Sequence, residues 1–484
     1  MALKWSAAGK FSSQLISWTI TFAVIRILSP EDYGLLAIAT IFTSLLMMMG
    51  EAGMQAVVIR SESLELGHLK RIFGVIFAGH SLVSTIILLI APLVAAFYTE
   101  PRVTPIMLVL AAHNMVICYT EMPNALLRRE MRFRELAFIE ITGVIVQSLT
   151  SLGLALAGYG VWALVVAQLV AGLVRAVLLN IMRPFLHAPS FHIGAMRDEL
   201  HFGGYILLQR LLWWAHESFD RALLGKLLGP VQLGYYTVGN ELASMPRDKL
   251  AKIINQIVFP AVARIKDDRA LARTHMLKAL EIMSLVIFPI FFGMSAIAAD
   301  IVTVILGSKW LPALIPLTLL PLAMPFRVLS IPLAQMVNAL GYPKVIFRYQ
   351  ITALILTLAS LSMGAIWGII GISVAWVVVS PLNIMIFLYY THDISGIGFK
   401  NLLKTIKIPI LISFFMFILI KYFDTSIYAI NFINSTLKLY MDGEIIYILH
   451  LLYNIILGAF FYIVSSLIFN IHIVRTLISF IKGR

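Results

Sequence analysis

The chain has 484 residues, of which 60% are hydrophobic and only 13% are charged. No soluble globular domain is this apolar, so the composition indicates a polytopic membrane protein. The single cysteine, Cys118, excludes an internal disulfide. A formal net charge of +13 is common among nucleic-acid binders, but the positions of the basic residues favour another explanation.

Hydropathy predicts an all-α polytopic membrane protein with fourteen transmembrane helices, each about 20 residues or longer. In chain order the predicted spans cover 11–28, 34–58, 72–98, 103–126, 136–158, 160–182, 203–229, 230–262, 275–306, 311–340, 346–368, 369–391, 405–423 and 445–470.

The loops between these spans alternate in charge. One set of loops holds 24 Lys and Arg residues, whereas the other set holds only Arg102, Lys309, Lys421 and Lys438. The positive-inside rule therefore predicts that both termini are cytoplasmic, in a multi-pass membrane protein. The basic excess is then a topology signal that also meets lipid headgroups, and we expect no nucleic-acid partner.

An internal repeat relates the two halves of the chain. Leu28-Ser-Pro-Glu-Asp-Tyr-Gly34 precedes Leu228-Gly-Pro-Val-Gln-Leu-Gly234 by 200 residues, and each segment joins two spans. The repeat predicts two six-helix lobes of the same orientation, although chance similarity of Gly/Pro turns is the alternative. The predicted divisions are an N-lobe at 1–182, a cytoplasmic linker at 183–202, a C-lobe at 203–392, and two further helices at 393–484 with a periplasmic loop at 424–444.

The seventh span carries charges where a membrane helix should have none. Arg210, Trp214, Glu217 and Arg221 are spaced by 4, 3 and 4 residues, which places them on one stripe about 40° wide. Arginine binds phosphate or carboxylate with a planar fork, and tryptophan offers a flat face for a sugar ring. The stripe predicts a cavity for an elongated anionic ligand; the alternative is a self-neutralising Glu217–Arg221 pair, which leaves Arg210 unexplained.

Other intramembrane charges are further candidates. Glu241 on the eighth span is expected to pair with the seventh, and Arg327 lies on the tenth span, whose five prolines predict a kinked or discontinuous helix. Arg327 is therefore a candidate substrate contact or gate. The candidates for ion coupling or gating are Glu51, His113, Asp220 and Arg247. Glu51 could equally cap packed backbone, and His113 could be a hydrogen-bonded core residue.

The motifs that the sequence lacks also narrow the function. It contains no G-x-x-x-x-G-K-[ST], C-x-x-C, H-E-x-x-H or G-x-S-x-G pattern, and no extramembrane region is large enough for a glycosyltransferase domain. We therefore expect a transporter rather than an enzyme, with no metal and no cofactor.

Several motifs resemble one known family. They are Lys4-Trp-Ser6, Pro30-Glu-Asp-Tyr-Gly-Leu-Leu36, Glu51-Ala-Gly53, Leu126-Leu-Arg-Arg-Glu-Met-Arg-Phe133, Phe202-Gly-Gly204, Val258-Phe-Pro-Ala-Val-Ala-Arg264, Gly307-Ser-Lys-Trp310 and Gly341-Tyr-Pro343. Over residues 1–390 the chain resembles the polysaccharide-transporter branch of the MOP (multidrug/oligosaccharidyl-lipid/polysaccharide) superfamily, especially Wzx-type flippases of the colanic-acid exporter group.

The resemblance implies that an undecaprenyl-diphosphate-linked oligosaccharide is flipped from the cytoplasmic to the periplasmic leaflet by alternating access. It also implies a location in the bacterial inner membrane and a groove for the lipid tail at spans 13 and 14. The partners that it implies are a polysaccharide polymerase and the chain-length machinery. Two alternatives remain open: a drug/cation antiporter of the same superfamily, which would prefer an acidic cavity, and a membrane polysaccharide polymerase or ligase, which would carry a long catalytic outer loop.

Overall fold

The computed structural model describes residues 17–51, 58, 65–191, 197–265, 267–424 and 443–469, and gives only the backbone of 48–51, 197–210, 253, 256–257, 424 and 443–446. In this part of the chain fourteen long helices follow one another without strands, which confirms the all-α polytopic fold. Contacts divide the chain into two compact units, 1–234 and 235–484.

The first unit begins with six separate helices. They are α1 (Ser17–Ile27), α2 (Pro30–Glu51), α3 (Leu66–Tyr98), α4 (Val103–Arg129), α5 (Phe133–Leu156) and α6 (Trp162–Met182). A continuous helical stretch, Arg197–Ala263, is kinked at Gly229, where φ is 77°. We call its residues before the kink α7 and those after it α8. The unit boundary falls in the first turns of α8.

The second unit contains the rest of α8 and six further helices. They are α9 (Arg269–Ala296), α10 (Leu314–Ala339), α11 (Pro343–Gly364), α12 (Gly368–Ser395), α13 (Phe399–Asp424) and α14 (Gly443–Phe469). A π-helical turn at Ile301–Leu306 and a 3-10 turn at Ser308–Ala313 join α9 to α10. The helix α10 runs without interruption past Pro321, Pro325 and Pro332, so it is not discontinuous.

Charge distinguishes the kinked pair α7–α8 from most of the other helices. Nine helical stretches in the described residues are long and apolar enough to cross a membrane, and neither α7 nor α8 is among them. Their length is sufficient, but α7 carries charges such as Glu217, Asp220 and Arg221, and α8 is too polar in composition. The charged side chains of α7 therefore need a polar environment, as the sequence indicated.

The start of α2 is fixed by its own side chains. Ser29 and Asp32 form a capping box, in which the Asp32 carboxylate accepts hydrogen bonds from the Ser29 amide at 2.9 Å and the Ser29 hydroxyl at 2.6 Å. The Asp32 amide donates back to Ser29 Oγ at 3.2 Å. These bonds satisfy polar groups that a helix end leaves unpaired, and they set the turn between α1 and α2.

The helix α7 packs against α3, another helix of the first unit. The hydroxyl of Tyr98 on α3 donates to the carbonyl of Ala222 at 3.2 Å, and the ammonium of Lys226 lies 4.5 Å from the ring centroid of Phe97. The sequence placed this span at the start of a C-lobe. The lobes, the linker and their parallel repeat stay predictions.

The two repeated Gly/Pro turns meet each other through their backbones. A Cβ atom added to Gly34 would overlap the carbonyl of Pro230, and a Cβ atom added to Gly234 would overlap the carbonyl of Pro30. Each repeat thus supplies one glycine and one proline carbonyl to the same contact, which we call the reciprocal glycine contact. Only glycine fits at both places because any side chain would push the two turns apart.

Alanine at either position of the reciprocal glycine contact should destabilise the protein. We expect Gly34→Ala and Gly234→Ala each to cost about 1–3 kcal/mol, the usual cost of overpacking against a rigid neighbour. Thermal unfolding of the purified protein in detergent measures the effect. Gly67→Ala is the matched control because a Cβ there meets no atom within 4 Å. Equal melting temperatures for all three variants would show that the contact does not stabilise the protein.

Candidate functional site

Three of the predicted stripe residues have described side chains on α7. Trp214 is half-buried, and its indole Nε1 donates to Ser44 Oγ on α2 at 3.2 Å, which fixes the orientation of its ring. The Arg221 guanidinium folds back along its own helix and donates to Ser218 Oγ at 3.0 Å and to the Glu217 backbone carbonyl at 3.4 Å. Arg221 Nε is buried without a hydrogen-bond partner among the described residues.

Two predicted residues lie outside the described side chains. Arg210 and Glu51 are on helical backbone, but their side chains are not described, so both remain predictions. Asp220 is 2% exposed, and its carboxylate accepts a hydrogen bond from the Arg221 amide at 2.7 Å. A carboxylate buried this deeply beside Arg221 keeps its place among the candidates for coupling.

The remaining predicted residues are in the second unit. Arg327 on α10 lies over the ring of Trp376 on α12, with 4.4 Å between the guanidinium carbon and the ring centroid. Trp376 is buried while Arg327 is half-buried, so the tryptophan holds the cation by a cation–π interaction and leaves part of it accessible. On α8, Glu241 is exposed, and Arg247 Nε donates to Asp248 at 3.0 Å. The predicted pairing of Glu241 with α7 stays a prediction.

Sequence reasoning missed a polar cluster in the first unit. Arg175 on α6 lies 3.9 Å from Glu140 on α5, and its aliphatic arm crosses the backbone of Gly143. His113 on α4 rests on Gly172 of α6, one turn from Arg175. The Nδ1 atom of His113 has no hydrogen-bond partner in the described part of the chain, and both predicted roles of His113 stay predictions. Arg175 could have been found by the criterion applied to α7, a charge inside an apolar span.

A second missed cluster joins the last helix to the turn after α9. Asp300 accepts hydrogen bonds from His450 Nδ1 at 3.0 Å and from Asn454 Nδ2 at 2.9 Å, and all three side chains are buried. His450 and Asn454 are one turn apart on α14. No sequence signal links Asp300 to residues 150 positions away, so only the fold reveals the cluster.

Outside the spans, charge clusters fix two turns. The Glu130 carboxylate accepts hydrogen bonds from Arg183 at 2.7 Å and from Arg132 at 3.2 Å, joining the turn after α4 to the end of α6. Partial burial acts to raise the pKa of Glu130, but the hydrogen bonds from the two arginines outweigh it and lower the pKa. On the opposite side, hydrogen bonds to Glu31 and Glu100 raise the pKa of Arg102.

The Asp300 cluster generates a stability prediction. Asp300→Ala leaves His450 and Asn454 buried without their acceptor, which should cost about 1–3 kcal/mol, whereas Asp300→Asn keeps one acceptor oxygen and should cost less. Chemical or thermal unfolding in detergent measures both. Asp393→Ala is the control because the Asp393 side chain is fully exposed. If Asp300→Ala unfolds at the same temperature as Asp393→Ala, the cluster does not tie α14 to the turn.

The described residues contain no group of three or more His, Cys, Asp or Glu side chains that could hold a metal ion. The candidate residues with described side chains are arginines, a tryptophan, a histidine and carboxylates. Trp214, Glu217, Asp220 and Arg221 lie in the first unit, and Glu241, Arg247 and Arg327 lie in the second. Arginine binds anionic oxygens and tryptophan stacks on sugar rings, and the assignment of these residues to one cavity stays a prediction.

Comparison with known proteins gives consistent matches along the chain. The sequence profile of the family described as polysaccharide biosynthesis protein matches residues 23–315, more than half of the chain. An uncharacterized membrane protein in the cps region of Klebsiella pneumoniae is 24% identical over 449 residues, 91% of this chain and 92% of that protein. The lipopolysaccharide biosynthesis protein WzxC of Escherichia coli K12 is 22% identical over 424 residues, 85% of this chain and 84% of that protein.

A solved structure shares the fold. The lipid II flippase MurJ, in an inward closed conformation, superposes with a TM-score of 0.74 at 14% identity, covering 97% of this chain and 99% of that chain. At this identity the likeness shows the fold alone. The family match and the relatives, together with this shared fold, confirm the resemblance to polysaccharide transporters of the MOP superfamily. The chain is a multi-pass membrane protein that belongs to the polysaccharide biosynthesis protein family.

Proposed function

We propose that this protein flips an undecaprenyl-diphosphate-linked oligosaccharide, a repeat unit of exopolysaccharide or O-antigen, from the cytoplasmic to the periplasmic leaflet. Family membership carries the proposal most directly, together with a fold that matches a lipid II flippase from end to end. Lipid II is itself a lipid-linked sugar, and the name of WzxC associates that relative with lipopolysaccharide synthesis. The substrate would later be joined by polysaccharide polymerase and chain-length machinery.

The charges inside the helices support an anionic substrate. Arg221 and Arg327 are both half-buried within long helices. A diphosphate carries charge that apolar surroundings would reject, and arginine is the side chain best suited to receive it in a planar, bidentate manner. Trp214, whose ring orientation is fixed by Ser44, supplies a flat face for an attached sugar.

The same residues disfavour the antiporter alternative. A carrier for cationic drugs needs carboxylates that remain available to the drug. Arg221 and Arg327 are half-buried and would repel a cation, and the Asp220 carboxylate is 2% exposed and already accepts the Arg221 amide. Glu217 is half-buried and Glu241 is exposed, so these are the accessible candidate carboxylates. The arginines favour an anionic substrate over a cationic drug. Alternating access would carry the headgroup across the membrane. The reciprocal glycine contact lies on the side that is predicted to be periplasmic.

Alanine at the two arginines of α7 should stop transport. We expect Arg210→Ala and Arg221→Ala to reduce surface polysaccharide at least tenfold in a strain that lacks its own copy, because loss of a charge-assisted contact to phosphate costs about 1.5–3 kcal/mol. Arg→Lys variants should restore only part of the polymer since a point charge lacks the fork. Immunoblots of polymer and of the membrane protein measure both quantities.

Arg264→Ala is the control for the loss of one positive charge, since Arg264 is exposed beyond α8. It should leave the polymer level unchanged. Normal polymer in both Arg210→Ala and Arg221→Ala, at normal protein levels, would overturn the proposed site. Full activity of the lysine variants would mean that only the charge matters.

A further inference from the structure

A cluster of polar residues on three helices of the first unit is not used by the mechanism above. It consists of Arg175 on α6, His113 on α4, and Glu140 on α5, with Gly143 and Gly172 beneath the first two. We call it the Arg175 cluster. Its geometry points to a second binding site, separate in sequence and position from the α7 stripe.

The backbone is shaped to hold Arg175 inside the membrane. A Cβ atom on Gly143 would overlap Nε of Arg175 and would lie 2.9 Å from its Cγ. The arm therefore lies directly on the helix α5 at Gly143. Gly143 is ten residues from the start of α5, or about 15 Å along a helix of roughly 36 Å. The side chain of Arg175 crosses α5 at this level, and its Nη2 atom lies 3.9 Å from Glu140, three residues nearer the start of α5.

His113 is placed beside it in the same way. A Cβ atom on Gly172 would lie 2.6 Å from Cε1 and 2.8 Å from Nδ1 of His113. Gly172 precedes Arg175 by three residues, so both glycine-supported side chains lie on one face of α6. The helices α5 and α6 each have a glycine, Gly143 or Gly172, where one of these polar side chains crosses them. Each glycine contributes less packing than a larger side chain would, and ligand binding would compensate for that loss.

Part of the hydrogen-bonding capacity of the cluster is unfilled. Arg175 Nε and His113 Nδ1 are buried without a hydrogen-bond partner among the residues that the structure describes. Arg175 Nη2 forms an ion pair with Glu140 Oε2 at 3.9 Å, which is too long for a hydrogen bond. The Glu140 side chain is 64% exposed, whereas that of Arg175 is only 30% exposed. A buried donor without an acceptor costs free energy, and the oxygens of an anion would offset that cost.

We propose that the Arg175 cluster is an oxyanion subsite that receives the diphosphate of the substrate during its passage. The fork of Arg175 would hold two oxygens, and His113 would donate a third hydrogen bond. This assignment rests on the proposed function. A phospholipid headgroup offers the same chemistry, and separate probes for the two sources distinguish them.

Native mass spectrometry of the purified full chain tests the subsite. Two probes are added in separate arms: undecaprenyl diphosphate without sugar, and phosphatidylglycerol. Arg175→Gln removes the charge, and Gly143→Ala displaces the arm while keeping it. Both should reduce the bound undecaprenyl diphosphate about tenfold relative to the unsubstituted protein and leave phosphatidylglycerol binding unchanged.

Gly153→Ala is the matched control on the same helix, because a Cβ there meets nothing within 4 Å. It should bind both probes normally, and size-exclusion profiles identify any variant that fails to fold. Loss of phosphatidylglycerol alone would overturn the assignment to the substrate and give the subsite to a lipid headgroup. Unchanged binding of both probes in Arg175→Gln and Gly143→Ala would overturn the subsite and leave the proposed function standing. Failure of the unsubstituted protein to bind undecaprenyl diphosphate would count against the proposed function and this assignment together.

Discussion

A charged side chain inside a bilayer costs at least about 2.5–3.5 kcal/mol, and this cost organises the whole molecule. Several of the described charges within the helices have an arrangement that offsets part of the cost. Arg221 bonds to its own helix, Arg327 lies on Trp376, and Asp300 is held by His450 and Asn454. Because apolar side chains would avoid the cost, binding of an anion is the proposed reason for the charge of Arg221 and Arg327.

Glycine residues make room for close contacts in the first unit. At Gly34 and Gly234 the missing side chain lets two backbone turns touch, and at Gly143 and Gly172 it makes room for Arg175 and His113. In a membrane, close packing through small residues replaces the hydrophobic effect that drives association in water. The reciprocal glycine contact also brings the two similar Gly/Pro turns together, each supplying one glycine and one proline carbonyl.

Much of the fold followed from the sequence because membrane helices obey length and charge rules. The predicted spans correspond in order to the fourteen observed helices, and the adjacent spans 203–229 and 230–262 meet at the kink at Gly229. Residues on one helix, such as Trp214 and Arg221, were identified by spacing alone. Contacts between helices were not accessible in this way: nothing in the sequence pairs Asp300 with His450, or Arg175 with Gly143. The packing of α7 in the first unit was also missed, because a repeat shows which segments are equivalent and not which segments touch.

We propose that arginines held within the membrane carry an anionic headgroup across it. The most direct test of this proposal is the transbilayer movement of a fluorescent undecaprenyl-diphosphate-linked oligosaccharide in proteoliposomes that contain only this protein, measured by the accessibility of the sugar to an added quencher. We expect the lipid-linked oligosaccharide to cross rapidly with the unsubstituted protein and at the protein-free rate with Arg221→Gln. Equal, rapid movement with both proteins, at equal reconstitution, would contradict the proposal.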